Sequence, residues 1–245
     1  MRTMTEIKQT IIRLSGKLSF GEIPFLRGAV MDFAGNEPAF HNHAEDSSSL
    51  YRMPAIQYKL LDGAPSIVGI NCHESGADAL ERLFVSGSEH EFRIGRDVRV
   101  FRVESKQTIY PSLCDMRGEC QRYMLRNWLP LNQENYRNYR QTGSLAERIS
   151  LLDRTLVGNV LSLYKSFDVI FKENISAYVV DIISERETKY KDVRMTTMDV
   201  VFDTDVIVPP ALSIGKGASR GFGVVEAFAP DPRPNSCNSD YLLTQ

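Results

Sequence analysis

Four glycines fall within nine residues near the end of the chain: Gly215, Gly217, Gly221 and Gly223, set around Lys216, Ser219 and Arg220. Pro209 and Pro210 lie just before them, and the β-prone run Val224 to Phe228 follows. Such a stretch cannot continue a regular helix, so it reads as a tight loop that opens onto a short strand. Glycines without a Cβ let backbone N–H groups approach a phosphate, and Lys216 and Arg220 would add charge to that cradle. A Walker loop requires Gly-Lys followed by Ser or Thr and a helix, whereas Gly217 follows Lys216. A dinucleotide fingerprint opens a helix after an early strand, and this loop does neither. Two alternatives stay open here, a mononucleotide site and a glycine-eased hairpin with no ligand.

The rest of the chain, at 245 residues, has room for two domains of about 100–120 residues. Ile7 to Phe20 reads as a strand, and Pro24 starts a helix with Phe25, Leu26, Ala29, Val30 and Phe33 on one face. Asp62-Gly63-Ala64-Pro65 joins strand-like Pro54–Leu61 to Ser66–Cys72 as a hairpin. Ser75 is the expected cap of a helix over Ala77 to Phe84, and a further strand lies within Asp97 to Ser105. Strand–helix–strand–strand–helix–strand is the ferredoxin-like order.

A second unit begins near Pro111. Gln121 to Leu131 reads as a strand and Leu131 to Thr142 as a polar loop with Tyr136 and Tyr139. Ser144 caps a long apolar-faced helix to Tyr164, in which Gly158 reads as a close packing contact. Ile175–Ile183 and Val193–Val208 read as strands with Ser184–Lys189 as their turn region. The expectation is an α+β protein of two tandem ferredoxin-like (RRM-like) domains, residues 1–110 and 111–229, with a disordered tail over 230–245.

The formal net charge of −2 excludes a globally basic binder, so any RNA site must be a local patch. No run approaches the ~20 apolar residues of a membrane span, and Met1 to Phe20 lacks a signal-peptide core. Cys72, Cys114, Cys120 and Cys237 form no C-x-x-C pair, so a reduced, cytoplasmic protein is expected.

Ile214-Gly-Lys-Gly-Ala-Ser-Arg-Gly-Phe-Gly-Val224 resembles the C-terminal glycine loop of the CRISPR-associated endoribonucleases that cut repeat RNA. Leu26-Arg-Gly-Ala29, Phe40-His-Asn-His43, Tyr51-Arg-Met-Pro54, Ile56-Gln-Tyr-Lys59, Trp128-Leu-Pro-Leu-Asn132, Glu134-Asn-Tyr136 and Gly158-Asn-Val-Leu-Ser162 extend the likeness, in order, over roughly residues 7 to 228. The resemblance implies CRISPR repeat RNA as the ligand, other subunits of a CRISPR interference complex as further partners, and no cofactor. It also implies a glycine loop in place of the second unit's last helix, and a metal-independent cut made by the 2′-OH.

Such a cut needs one group to take a proton and another to give one, and histidine suits both tasks. His41 and His43 lie where the resembling family places its catalytic histidine, and spacing does not choose between them. With Glu45 and Asp46 they could instead form a metal site, though no second ligand cluster completes a shell. Tyr51 is a candidate orienting hydroxyl and Lys59 a candidate cation on the phosphorane, each with a packed or solvated residue as the alternative. Arg96 and Arg102 could share a strand face on RNA backbone. Tyr136 and Tyr139 beside Arg137 and Arg140 mix stacking with charge, as single-stranded RNA sites do.

Overall fold

The structure is a computed structural model that describes residues 5–40, 53–113 and 119–228. The expected tail over 230–245 lies outside the described residues. The first half contains β1 (Thr5–Glu6), β2 (Gln9–Leu14), α1 (Ile23–Ala34), β3 (Ile56–Leu61), β4 (Ala64–Ile70), α2 (Gly76–Leu83), β5 (Glu89–Ile94) and β6 (Asp97–Ile109). β7 (Ser112–Leu113) pairs with β1 as the chain crosses to the second half. There follow β8 (Gln121–Trp128), α3 (Gln133–Gln141), α4 (Leu145–Lys165), β9 (Ala177–Tyr190), β10 (Val193–Thr204) and β11 (Val224–Ala227).

The first sheet runs β3-β4-β2-β6-β5 and the second β11-β8-β10-β9, with every neighbouring pair antiparallel. Leaving aside the added edge strand β5, both are the ferredoxin-like order, so the chain is a tandem pair of such folds. The second lacks the helix that α2 supplies in the first; residues 205–223 stand in its place.

Local chemistry explains most elements. Asp62 and Gly63 both take positive φ (51° and 78°), the turn geometry that suits a two-residue hairpin. In α1 the buried face is Ile23, Leu26 and Val30; Phe25, expected on that face, is half exposed. Asn71 rather than Ser75 caps α2, its Oδ1 accepting from the Ala77 and Asp78 amides at 3.0 and 3.3 Å. Ser144 caps α4 as expected, with Oγ accepting from the Glu147 amide. The expected first strand is shorter, stopping at Leu14 ahead of Gly16 (φ 83°).

Three elements differ from expectation. β5 is a strand because Phe92 and Ile94 alternate into the core between polar neighbours. The expected polar loop around Tyr136 is the helix α3, started by Asn132, whose Oδ1 accepts from the Asn135 amide at 2.7 Å. Ser184–Lys189 is strand, and the turn lies further on at Lys191 and Asp192 (φ 48° and 65°), so the β9–β10 hairpin runs past the end of β8.

Helices α1 and α2 cover one face of the first sheet, with Ile12, Leu14, Tyr58 and Ile67 beneath them. Val68, Ile70 and Leu61 share a core with the second half, where α4 packs on Leu125, Val200 and Phe202. None of the described helices is long and apolar enough to cross a membrane.

Glu22, at the start of α1, is tied to Arg99 of β6 and to the Ser19 amide. The Arg99 hydrogen bond first, then Ser19, pull the Glu22 carboxyl from its usual 4.5 down to about 2. A depressed carboxylate stabilises the fold above the unfolded pKa, and that contribution fades as pH falls from 4.5 toward 2. Melting temperatures of the parent and Glu22→Gln should therefore differ at neutral pH and converge as acid is added across that window.

Candidate nucleic-acid interface

The segment that replaces the last helix is pinned at its base and free to display its tip. Ala211 N donates to Val225 O and Val225 N to Leu212 O, both at 2.8 Å, while Ile214 N donates to Gly223 O at 2.8 Å. This short ladder brackets a tip that makes one 3-10 turn over Ala218–Arg220.

The base is held by the first half. Gln9 Nε2 donates to Pro210 O at 2.9 Å, and Gln57 Oε1 accepts from the Ser213 amide at 2.8 Å. Lys59 is completely buried, and its Nζ donates to Gln57 Oε1 (2.7 Å), Ala211 O (2.6 Å) and Ser213 Oγ (2.8 Å). Burial holds the Lys59 pKa well below the ordinary lysine value. Two of its partners are carbonyl oxygens and the third is a hydroxyl that can donate or accept, so the nitrogen keeps all three contacts with or without its third proton. Lys59 is thus neither the solvated strand residue that was one expectation nor a cation open to a phosphate.

The loop glycines are occupied by the protein itself. All four have positive φ, and a Cβ on Gly223 or Gly215 would collide with Ile214 O or Asn159 Oδ1. On Gly221 it would lie 2.6 Å from Ile23 Cδ1, and on Gly217 2.9 Å from the Phe222 ring. Their glycine character is required by packing, without reference to a ligand.

Charge gathers instead around Tyr190, at the end of β9. Its ring centroid lies 5.3 Å from Lys216 Nζ, 5.8 Å from Arg220 Cζ and 5.9 Å from Lys191 Nζ. None of the three cations has an ion-pair partner among the described residues. Burial first, and then the Lys191 charge, pull the Lys216 pKa below that of an ordinary lysine. Phe222 meets Tyr190 edge-on at 5.6 Å and Phe20 at 4.9 Å, linking the hairpin and the loop to the first half. Three cations without an ion-pair partner among the described residues, gathered on one aromatic ring, concentrate positive charge that can attract an anion. Ser219 lies in the same turn as Arg220.

Beside this cluster a cleft of about 370 Å³ runs between the loop (Gly215, Lys216), α4 (Gly158, Asn159) and Pro130–Asn132. His41, His43 and Tyr51 lie outside the described residues; the next described residues, Met53 and Pro54, line the cleft. Gly158, expected as a packing contact, is exposed, with no atom within 4 Å of where a Cβ would stand.

The remaining candidates are placed elsewhere. Arg96 sits in the β5–β6 turn, off the strand, so alternation does not put it on a face with Arg102. That hairpin edges the first sheet opposite β3, roughly 14–19 Å away at ordinary strand spacing. Tyr139 is buried in the core with Arg148 over its ring at 5.5 Å, so it has no face for a base, and Tyr136 is half-buried against the same core. His90 packs among Phe33, Phe84 and Phe92. Sequence reasoning missed Tyr190 and Lys191; the signal that would have found them is the Lys191-Asp192 turn.

Tandem ferredoxin-like folds with a glycine loop in place of the second unit's last helix are the class to which this architecture belongs. The chain is a member of the Cas6b family, residues 5–108 matching the Cas6b N-terminal domain and 115–228 the Cas6b C-terminal domain. It is similar to a crystal structure of Cas6b at TM-score 0.76 and 26% identity, covering 91% of this chain and 100% of that one. A second similar structure, the CRISPR RNA processing endoribonuclease Cas6b, gives 0.66 and 25% over 91% of this chain and 99% of that one. Csf5, a type IV Cas6 crRNA endonuclease, shares the fold at TM-score 0.57 and 14% identity, over 91% and 100% of the two chains. An uncharacterized protein of Methanocaldococcus jannaschii is 32% identical over 98 residues, 40% of this chain and 65% of that protein, so the match spans just under two thirds of that relative.

Two outcomes follow from this geometry. Replacing Lys191, Lys216 or Arg220 by Ala should weaken RNA binding and make its salt dependence shallower by about one phosphate contact each. Affinities measured across a salt series, with unchanged slopes in all three, would remove the cluster from the interface. Lys59→Met should leave buried acceptors unsatisfied and lower unfolding free energy by about 3 kcal/mol, read by urea denaturation.

Proposed function

We propose that the chain is a metal-independent endoribonuclease that cleaves CRISPR repeat RNA in precursor transcripts. The observation that carries this reading is the unpaired Lys191, Lys216 and Arg220 cluster beside a cleft, in a member of the Cas6b family. Residues 111–229 would hold the RNA backbone through that cluster. Residues 1–110 would supply the acid–base chemistry through His41 or His43, with Tyr51 as the orienting hydroxyl. In this reading Lys59 acts through the loop it holds and does not touch the phosphate.

The reaction is an internal displacement. A base removes the 2′-OH proton, O2′ attacks the adjacent phosphorus, and the P–O5′ bond breaks as an acid protonates the departing O5′. The products are a 2′,3′-cyclic phosphate and a 5′-OH end, and no outside reactant is consumed. The cation cluster would fix the backbone so that O2′ and O5′ stand in line. The protein would act in the cytoplasm, alone or with other subunits of a CRISPR interference complex.

The test is cleavage of repeat RNA under single-turnover conditions in excess EDTA, with analysis of the end groups. Cutting should persist and leave cyclic phosphate. The His41→Ala and His43→Ala pair should together slow it about 10²–10⁴-fold with little change in RNA affinity. Strict dependence on a divalent cation would overturn the reaction. Tight binding without any cutting would make this a repeat-RNA-binding subunit of the same fold.

A further inference from the structure

Gly158 stands in the middle of the 21-residue helix α4, where glycine costs about 1 kcal/mol relative to alanine. The loop glycines are each required by an atom of the chain; Gly158 is required by none, since a Cβ there would meet open space. The space it opens belongs to the cleft.

Two amides of the cleft are oriented by the chain, beside the hydroxyls of Thr155, Ser162 and Ser213. Asn159 Oδ1 accepts from Trp128 Nε1 at 2.9 Å, and an indole N–H can only donate, so the amide is locked with Nδ2 as its remaining group. Asn132 Oδ1 is likewise taken by the Asn135 amide, leaving its Nδ2. Lys216 adds an ammonium at the rim. Pro130, Leu131 and Ile214 supply apolar wall. At about 370 Å³ the cleft falls at the small end of ligand pockets, roughly 300–1,000 Å³. That is room for a single nucleotide and too little for a duplex.

We infer that this cleft takes one unstacked nucleobase of the bound RNA, laid against the bare backbone at Gly158 and selected for a carbonyl oxygen on its edge. The inference rests on the RNA-binding reading above and adds a specificity to it. Asn159 Nδ2 and Asn132 Nδ2 donate to keto oxygens such as those of uracil. Adenine accepts only at ring nitrogens, and beside N1 and N7 it sets an amino donor that these two amide donors do not match. The bare helix lets the ring approach more closely than any side chain at position 158 would allow.

The experiment compares labelled short oligouridylate and oligoadenylate for binding to the full chain at one salt concentration, by fluorescence anisotropy. Oligouridylate should bind about fivefold tighter, the worth of roughly one hydrogen bond. Gly158→Leu, and Gly158→Gln as a second filling variant, should abolish that preference, while Gly158→Ala melts above the parent. Lys191→Ala should weaken both oligonucleotides alike and keep the preference. Equal binding of the two by the parent, or a preference that survives both filling variants, overturns the base pocket and leaves RNA binding standing. Failure to bind either oligonucleotide or repeat RNA overturns both readings.

Discussion

A lysine side chain with no exposure to solvent joins the two halves of this protein. Residues 210–213 run as irregular backbone against the first sheet, with Leu212 and Ser213 buried, Ala211 partly buried and Pro210 exposed. Backbone donors and acceptors buried in that way must find partners. Here the partners are side chains of the sheet: Gln9 to Pro210, Lys59 to Ala211, and Gln57 to both the amide and carbonyl of Ser213. Three positions that would carry aliphatic residues in a purely apolar interface are therefore Gln, Gln and Lys. Burying the amine is costly, and the arrangement holds because its nitrogen has three hydrogen-bond partners within 2.8 Å.

The position of the anion site follows from that joint. Lys216 and Arg220 stand on a tip whose two ends are fixed by the first sheet and by β11, and Lys191 arrives from a separate hairpin. Phe20, Phe222 and Tyr190 form an aromatic chain from the first half to that hairpin. The three cations are thus held by a frame that spans both units. Burial first, and then the neighbouring Lys191 charge, lower the Lys216 pKa, so holding these cations at the tip opposes folding slightly. The chain's overall charge of −2 conceals this cluster, because carboxylates elsewhere outnumber the cations.

Much of the fold was legible because its elements carry local signals. The Asp62–Gly63 turn, the Ser144 cap and the apolar face of α4 each stand in consecutive residues, and the strand and helix order led to the tandem ferredoxin-like fold. What escaped depended on distant neighbours. Nothing near Lys59 in sequence announces that Ala211 and Ser213 will surround it. The polar residues 184–189 resemble a turn because they extend past the partner strand β8 and are solvated, yet pairing with β10 keeps them in a strand. Tyr139 looked like a stacking platform because its neighbours are charged, and the i, i+3 spacing with Tyr136 instead turns both against the core. The glycine loop drew attention as a phosphate cradle, whereas packing around each of its four glycines accounts for their identity.

That last point bears on how the site divides its work. A glycine can serve the chain or a ligand, and the Cβ environment tells the two apart. At positions 215, 217, 221 and 223 the space for a Cβ is already filled by Asn159, Phe222, Ile23 and Ile214, so packing alone accounts for glycine there. The groups left open are the side chains the loop carries, Lys216 and Arg220, and the backbone at Gly158 on α4. The first unit covers its sheet with α2; the second uses this loop, whose backbone is completed only by the other unit's side chains. Because one segment is both the joint between the units and the carrier of Lys216 and Arg220, an anion that tightens the tip also tightens the joint. By linkage, whatever steadies the packing of the two halves must in the same measure favour binding at the tip.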